Sequence, residues 1–271
     1  MQTIIITSKK TWKDIFSELW EYREVFIFLG WRDILVQYKQ TVLGIAWVLL
    51  RPLLTVAIFT IIFSKIAGID SSGTPYPLLV FSGMLVWQFF ADMLTFGSNC
   101  FLANQQLISK VYFPRLLLPA SRVLCSFVDF GIAFIFYLIL SVFRYQFLPS
   151  LAIFLLPIFL VWLIIIAFSI SLFFASLIVQ YRDFRHIIPF ATQLGIYLTP
   201  VGFSLFMAPK YVQYILACNP LTGVINGFRY ALLGEQLEPI VLGISLGVTV
   251  LFIGVSMFYF KISESTFADK I

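Results

Sequence analysis

Charge is what this 271-residue sequence has least of: Asp, Glu, Lys and Arg make up 11% of it, AVILMFWYC make up 61%, and mean hydropathy is +0.97. A soluble domain carries about 25% charged and about 45–50% apolar residues. The excess is too large for a bigger core, and the chain reads as a polytopic membrane protein. Histidine is nearly missing, with a single residue, and the three cysteines (Cys100, Cys125, Cys218) are widely separated and odd in number. That pattern makes neither a disulfide framework nor a metal cluster, so no zinc, haem or other metal site is expected. With 18 Lys and Arg against 13 Asp and Glu the formal charge is +5, too few cations and too scattered for a nucleic-acid footprint. The G-x-x-x-x-G-K-[ST] run that cradles phosphates does not occur, so the chain binds no ATP in that way. H-E-x-x-H and G-x-S-x-G are also missing. No catalytic residue is assigned, and an enzyme is disfavoured.

What the sequence does have is long runs without charge. The stretches 71–91, 145–181, 187–209 and 239–260 contain no Asp, Glu, Lys or Arg, and two more carry one interior charge each, Arg51 and Asp129. A bilayer core about 30 Å thick takes roughly 20 apolar residues of helix. Six transmembrane helices are therefore predicted, at about 40–64, 77–103, 123–143, 150–179, 187–206 and 239–260. Strands are excluded by the absence of a barrel's dyad alternation. The fold class is an all-α membrane protein, divided into a cytoplasmic segment over 1–30, a transmembrane domain over 31–262 and a cytoplasmic tail over 263–271.

Six crossings put both termini on one side, and basic residues choose the cytoplasm. On that assignment 13 Lys and Arg lie inside and four (Lys65, Arg144, Lys210, Arg229) outside, with Arg51 in the membrane. The first ten residues lack the pattern of a cleaved signal peptide. Thr11 to Phe28 places Trp12, Ile15, Phe16, Leu19, Trp20 and Phe26 near helical spacing on one face and charged residues opposite. Such a helix lies along the membrane surface, with Trp12, Phe16 and Trp20 at the interface, and Thr11 with Asp14 can cap its start. Between the last two spans, Tyr211 to Cys218 and Leu221 to Leu233 are too short to cross. They are predicted as re-entrant or interfacial helices on the outer face.

Intramembrane charge is costly and often functional, which singles out Arg51, Asp92 and Asp129. For each acid both a hydrogen-bonded structural role and a transport role stay open. By a rise of 1.5 Å per residue, Arg51 and Asp92 sit at matched depth, each roughly 18 Å from the cytoplasmic end of its span. They either pair, or Arg51 faces a wet passage and attracts an anionic substrate. Aromatic residues are 18% of the chain. Most pack or face lipid, while Trp47, Trp87, Phe89, Phe90, Tyr197 and Phe203 are the candidates to line a passage, where ring faces suit sugar rings.

Six segments in order resemble one family: WRDILVQYKQTVLGIAW (31–47), FSGMLVWQFF (81–90), LISKVYFPRLLLP (107–119), YRDFRHIIPF (181–190), NPLTGVINGFRYALLG (219–234) and FKISESTFADKI (260–271). Over nearly its whole length the chain is similar to the permease subunits of ABC-2 type exporters of lipid-linked polysaccharide, O-antigen or teichoic acid. The resemblance implies a homodimer in the bacterial inner membrane, two copies of a cytoplasmic ABC ATPase that carry the ATP and Mg, no cofactor on this chain, and a polyprenyl-linked polysaccharide as substrate. It also implies a coupling helix over Ser109, Lys110, Val111, Tyr112, Phe113, Pro114 and Arg115. Charge at Lys110 and Arg115, an aromatic wedge at Tyr112 and Phe113 and a turn fixed by Pro114 make that segment a physical lever. The second cytoplasmic loop holds Tyr181, Arg182, Asp183, Arg185 and His186, structural or coupling in role, with Asp183 able to bond Arg182 or Arg185. By the same resemblance the surface helix stands at the cytoplasmic entrance, and the short outer helices, with Asn219, Pro220 and Arg229, form the outer gate. The alternatives are another cargo (teichoic acid, lipid or drug) and an intramembrane enzyme acting on lipid-linked sugars, which would need Asp92 and Asp129 to converge.

Overall fold

The computed structural model describes residues 12–39, 44, 46–66, 68 and 74–264, with backbone only for residues 12–16. Among them every regular element is helical. Five helices are long and apolar enough to cross a membrane: α3 (Ala46–Ile66), α4 (Tyr76–Gly97), α7 (Leu117–Arg144), α8 (Leu151–Gln180) and α12 (Pro239–Glu264). The remaining expected span, about 187–206, is α9 (Phe184–Leu198), 15 residues long with Pro189 inside it. The shortening has a local cause. Thr199 precedes Pro200, which bars the helical conformation, and its backbone is extended at φ −112°, ψ 140°.

The N-terminal segment also departs from expectation. Instead of one helix over Thr11 to Phe28, α1 (Trp12–Glu21) and α2 (Arg23–Lys39) meet at Tyr22 and run on to Lys39. Helical hydrogen bonds bridge the joint, Tyr22 N–H to Glu18 O at 3.0 Å and Phe26 N–H to Tyr22 O at 3.1 Å. α2 persists because it has a partner in α7: Leu29 is buried, and a Cβ at Gly30 would come within 2.5 Å of the Leu124 side chain. The other face carries exposed Trp20, Phe28, Trp31 and Val36. The Thr11 cap and the side chains of Trp12 and Phe16 lie outside the described residues, as does the tail beyond Glu264.

α4 is the centre of the fold. Nearly all its side chains from Tyr76 to Phe90 are buried, packed by α3, α7, α8 and α11 (Pro220–Leu233). The outer helices keep large apolar groups uncovered, among them Phe143, Leu151 and Phe154, each more than 80% exposed, which is the surface lipid covers. The two short helices expected near the outer face are α10 (Lys210–Ala217) and α11. Local chemistry sets the limits of α11. The Asn219 side chain accepts from the Leu221 N–H at 3.1 Å, Pro220 fills the first turn, and Gly234 ends the helix at φ 71°, a conformation that costs a residue with a Cβ.

Between α4 and α7 the chain forms two single-turn pieces, α5 (Cys100–Ala103) and α6 (Gln105–Lys110), then runs irregularly to Leu117. The helix expected over Ser109 to Arg115 therefore lies earlier and stops at Lys110. Val111 is extended (φ −131°, ψ 132°), and Pro114 disfavours helix at the residue before it.

Polar contacts sort the helix ends into two groups. At one end, Tyr112 donates to Glu18 of α1 at 2.9 Å, Arg115 donates to the Glu264 carbonyl, and Gln180 at the end of α8 donates to Ser263 of α12 at 2.9 Å. At the other, Tyr76 at the start of α4 donates to the Gly202 carbonyl at 2.5 Å, and Arg229 of α11 bonds Leu79, Val201 and Phe203.

Candidate functional site

A cavity of about 190 Å³ opens between α2, α3, α4 and α7, lined by Gln37, Tyr38, Gly44, Trp47, Val48, Arg51, Gln88, Asp92, Phe96 and Asp129. Helical spacing sets two of its walls. Trp47 and Arg51 are four apart on α3, and Gln88 and Asp92 are four apart on α4, so each pair shares a face. Asp129 on α7 is the anchor of the third wall, accepting from Tyr38 Oη and from Gln37 Nε2, the latter at 2.9 Å. Burial, followed by the bond to Asp129 and its charge, pushes the Tyr38 phenol well above its usual range, so it stays a donor. Gln88 donates to Asp92 Oδ1 at 3.0 Å. Behind Phe96 the Arg122 guanidinium lies 4.7 Å from the ring centroid and 3.7 Å from Asp33 of α2. α4 ends here in a π-helical turn, Met93–Gly97, and the Met93 carbonyl accepts from Ser171 of α8 at 3.0 Å.

Of the candidate passage residues, Trp47, Arg51 and Asp92 come together in this cavity. Arg51 and Asp92 share it without a direct ion pair among the described residues. Trp87, Phe89 and Phe90 are buried core residues instead. Trp87 lies where a Cβ at Gly195 would reach its ring at 2.5 Å, and Phe89 meets Phe130 edge-on at 6.2 Å. The three lie on different sides of α4, which is packed nearly all round, and Phe89 borders a second, smaller cavity with Gln88, Asp92 and Asp129. Tyr197 is exposed beside Phe59, and Phe203 is half-buried with its carbonyl bound to Arg229.

In the first loop Ser109, Lys110, Val111 and Tyr112 are exposed, Phe113 is buried with Leu29, Phe101 and Leu117, and Pro114 and Arg115 are half-buried. The aromatic pair is thus split, Tyr112 outward and Phe113 inward. The second loop is only residues 181–183, and Arg185 and His186 fall in the first turn of α9. All five of its candidate residues are exposed. Asp183 makes no ion pair or side-chain hydrogen bond to Arg182 or Arg185 among the described residues; backbone bonds such as His186 N–H to Asp183 O at 3.0 Å close the turn.

At the opposite end Asn219 caps α11 and donates to Thr199 Oγ1 at 2.9 Å, with Pro220 next to it. Arg229 is 1% exposed. It donates to the carbonyls of Phe203 at 2.7 Å, Val201 at 2.8 Å and Leu79 at 3.3 Å, tying α11 to α4 and to the chain after α9. Sequence reasoning missed Gln37, Tyr38, Gln88 and Phe96. The signal for Gln88 was its spacing of four from Asp92; Gln37 and Tyr38, in a helix that also carries Arg32, Asp33 and Lys39, gave none.

These two polar ends, joined by apolar helices around a buried α4, define a multi-pass membrane protein. The sequence profile of the ABC-2 type transporter family matches residues 24–233, and the chain belongs to that family. It is similar to a Klebsiella pneumoniae protein named O-antigen export system permease protein RfbA, 28% identical over 238 residues, which are 87% of this chain and 91% of that one. A second Klebsiella pneumoniae protein of the same name is 30% identical over 207 residues, 76% of this chain and 79% of its own. A Myxococcus xanthus protein of that name is 26% identical over 261 residues, 94% and 98% respectively. As a member of this family the chain is a transport subunit and not an enzyme, and the ATPase is a separate subunit.

Proposed function

We propose that the chain is the membrane subunit of an ATP-driven exporter that moves a polyprenyl-linked polysaccharide out through the bacterial inner membrane. It works as a homodimer with two copies of a cytoplasmic ABC ATPase that hold ATP and Mg. The three relatives named for O-antigen export support the cargo class. The contacts between helix ends support six crossings with both termini in the cytoplasm. α1, the α4–α7 connection, the end of α8 and the end of α12 meet at one end. The chain must then cross between Gln180 and Pro239, and α9 is the segment available. Its 15 residues rise about 22 Å at 1.5 Å each, and the irregular stretch 199–204 completes the passage to where Arg229 holds Val201 beside Leu79.

The observation that carries the reading is the exposed surface made at the cytoplasmic end by Lys110, Val111, Tyr112, Tyr181, Arg182 and Arg185. It presents cations and aromatic groups from two loops at the end where α1 and α12 also meet the first loop and α8, a surface suited to docking the ATPase. α10 and α11 then close the outer end, and ATP-driven motion of the two loops reaches them through α8 and α9. The test is purification of tagged full-length chain from native membranes in mild detergent. A stoichiometric ATPase is expected to accompany it and to be lost in the Lys110→Glu, Arg182→Glu double variant, while the thermal stability of the chain is unchanged. Recovery of the chain without any ATPase overturns the reading.

A further inference from the structure

We infer that the cavity between α2, α3, α4 and α7 binds one neutral sugar ring of the cargo, held by Trp47, Arg51 and Asp92. The inference deepens the exporter reading and rests on it for the cargo class.

The chemistry of the lining selects the ligand. Trp47 is about half exposed and offers a large ring face, the surface on which the apolar side of a pyranose packs. Four residues on, the Arg51 guanidinium makes no ion pair or hydrogen bond to protein among the described residues, and its fork of donors cannot be deprotonated. On another wall one Asp92 oxygen accepts from Gln88, and the second has no hydrogen-bond partner among the described residues. An acceptor and a donor fork in one cavity beside an aromatic face are complementary to the neighbouring hydroxyls of a sugar, each of which donates and accepts.

The competing ligands fit less well. Asp92 and Asp129 set two carboxylates against the single Arg51 guanidinium, a balance that repels phosphate or pyrophosphate. Asp129 already accepts from Tyr38 and Gln37, and Arg51 stands in the cavity, so a bare cation finds no ligand shell. No group of three or more His, Cys, Asp or Glu able to hold a metal ion occurs among the described residues. Size also decides. At about 190 Å³ the cavity is smaller than the roughly 300–1,000 Å³ that holds a drug-sized molecule, so it takes one ring and not a chain segment. The walls are fixed before any ligand arrives. Asp129 holds Tyr38 and Gln37, Asp92 holds Gln88, and Arg122 backs Phe96.

The experiment is saturation-transfer NMR on the purified full-length chain in lipid nanodiscs, with methyl glucopyranoside, methyl galactopyranoside and methyl mannopyranoside as probes. Inorganic phosphate and sodium chloride serve as competitors. Transfer to the ring protons of at least one glycoside is expected, with the affinity falling about tenfold in Trp47→Ala and in Asp92→Asn, retained in Trp47→Phe, and unaffected by phosphate or sodium. Trp47 is exposed, so Trp47→Ala keeps the fold even where Asp92→Asn does not. No transfer, transfer unchanged in Trp47→Ala, or displacement by phosphate or sodium at equal concentration overturns the site. Recovery of the ATPase with the chain is read on the same preparations. A glycoside bound without an ATPase partner breaks the exporter reading and leaves the site standing, and an ATPase partner without glycoside does the reverse.

Discussion

Replacing Arg229 by methionine removes the one charged group that, among the described residues, crosses from α11 to the other helices, and keeps a side chain of similar reach. Three carbonyls, those of Phe203, Val201 and Leu79, then lose a donor at 2.7, 2.8 and 3.3 Å. Hydrogen bonds from a charged donor contribute about 1.5–3 kcal/mol each. Against that stands the desolvation of a guanidinium 1% exposed, several kcal/mol by itself, and its Nε has no partner. The net loss is therefore about 2–4 kcal/mol rather than the sum of three bonds. At about 2–4 °C per kcal/mol for a chain of this size, the melting temperature falls by about 5–15 °C. Arg229→Lys keeps the charge, but a single ammonium cannot reach three carbonyls as a planar fork does, so it falls between the two. The assay is thermal unfolding of the purified full-length chain in one detergent, followed by tryptophan fluorescence. A second substitution strikes the same junction from the other side. A Cβ at Gly83 would lie 3.0 Å from Val201 Cα and 3.3 Å from an Arg229 nitrogen, so Gly83→Ala should also lower the melting temperature, and less than additively with Arg229→Met, because the two share partners. An Arg229→Met protein that melts within about 1 °C of the parent refutes the reasoning.

Gly227→Ala places a Cβ 2.2 Å from a ring carbon of Phe159, and the overpacking should cost about 1–3 kcal/mol, read as a lower melting temperature and lower yield of folded chain. Tyr38→Phe leaves Asp129 with Gln37 alone and should cost about 1.5–3 kcal/mol; limited proteolysis within α2 should become faster while cleavage elsewhere does not. Gly234→Ala forces a Cβ into φ 71° and should cost about 1–2 kcal/mol, whereas Gly234→Asn, which tolerates that region, should cost less in the same melt.

Five of the expected spans were legible because their signal is composition over about 20 residues, which survives errors of a few positions. The α10 and α11 limits were legible for another reason: Pro209, Asn219, Pro220 and Gly234 mark them, and those residues act locally. α9 looked longer than it is because the apolar run continues past Leu198, while the Pro200 that extends Thr199 is itself apolar in any hydropathy sum. The first-loop helix was misplaced for a related reason. Lys110 and Tyr112 drew attention as chemistry, but Pro114 forbids the helix that was drawn through it, and the turns of α5 and α6 have no periodicity to read. α2 hides its role most completely. Its apolar residues cover both faces, one packed on α7 and one exposed, so no single stripe tells which is which. The burial of Arg229 was not legible, because sequence gives sign without depth, and the carbonyls that hold the guanidinium come together only in the fold.

The position of α2 links the connection between α4 and α7 to the cavity. α2 and α1 are held to the α5–α6 segment twice, by Arg32 donating to Asn104 at 2.9 Å and by Tyr112 donating to Glu18 at 2.9 Å. α2 is held to α7 by Asp33 near Arg122, and further on by Gln37 and Tyr38 on Asp129. A helix fixed at points more than one turn apart cannot tilt about any one of them without breaking another. A push on Lys110 and Tyr112 must therefore either carry α2 with it or break hydrogen bonds worth about 1 kcal/mol each. Gln37 and Tyr38 form one wall of the cavity, while Gln88 and Asp92 belong to α4, which the core holds on all sides. The Gln37 and Tyr38 wall is tied both to the loop, through Arg32 and Asn104, and to α7, through Asp129, so displacement of the loop loads the bonds to Asp129 at the cavity. On the proposed reading, the step that ATP drives is felt first at the sugar-sized cavity, before it reaches α10 and α11 at the far end.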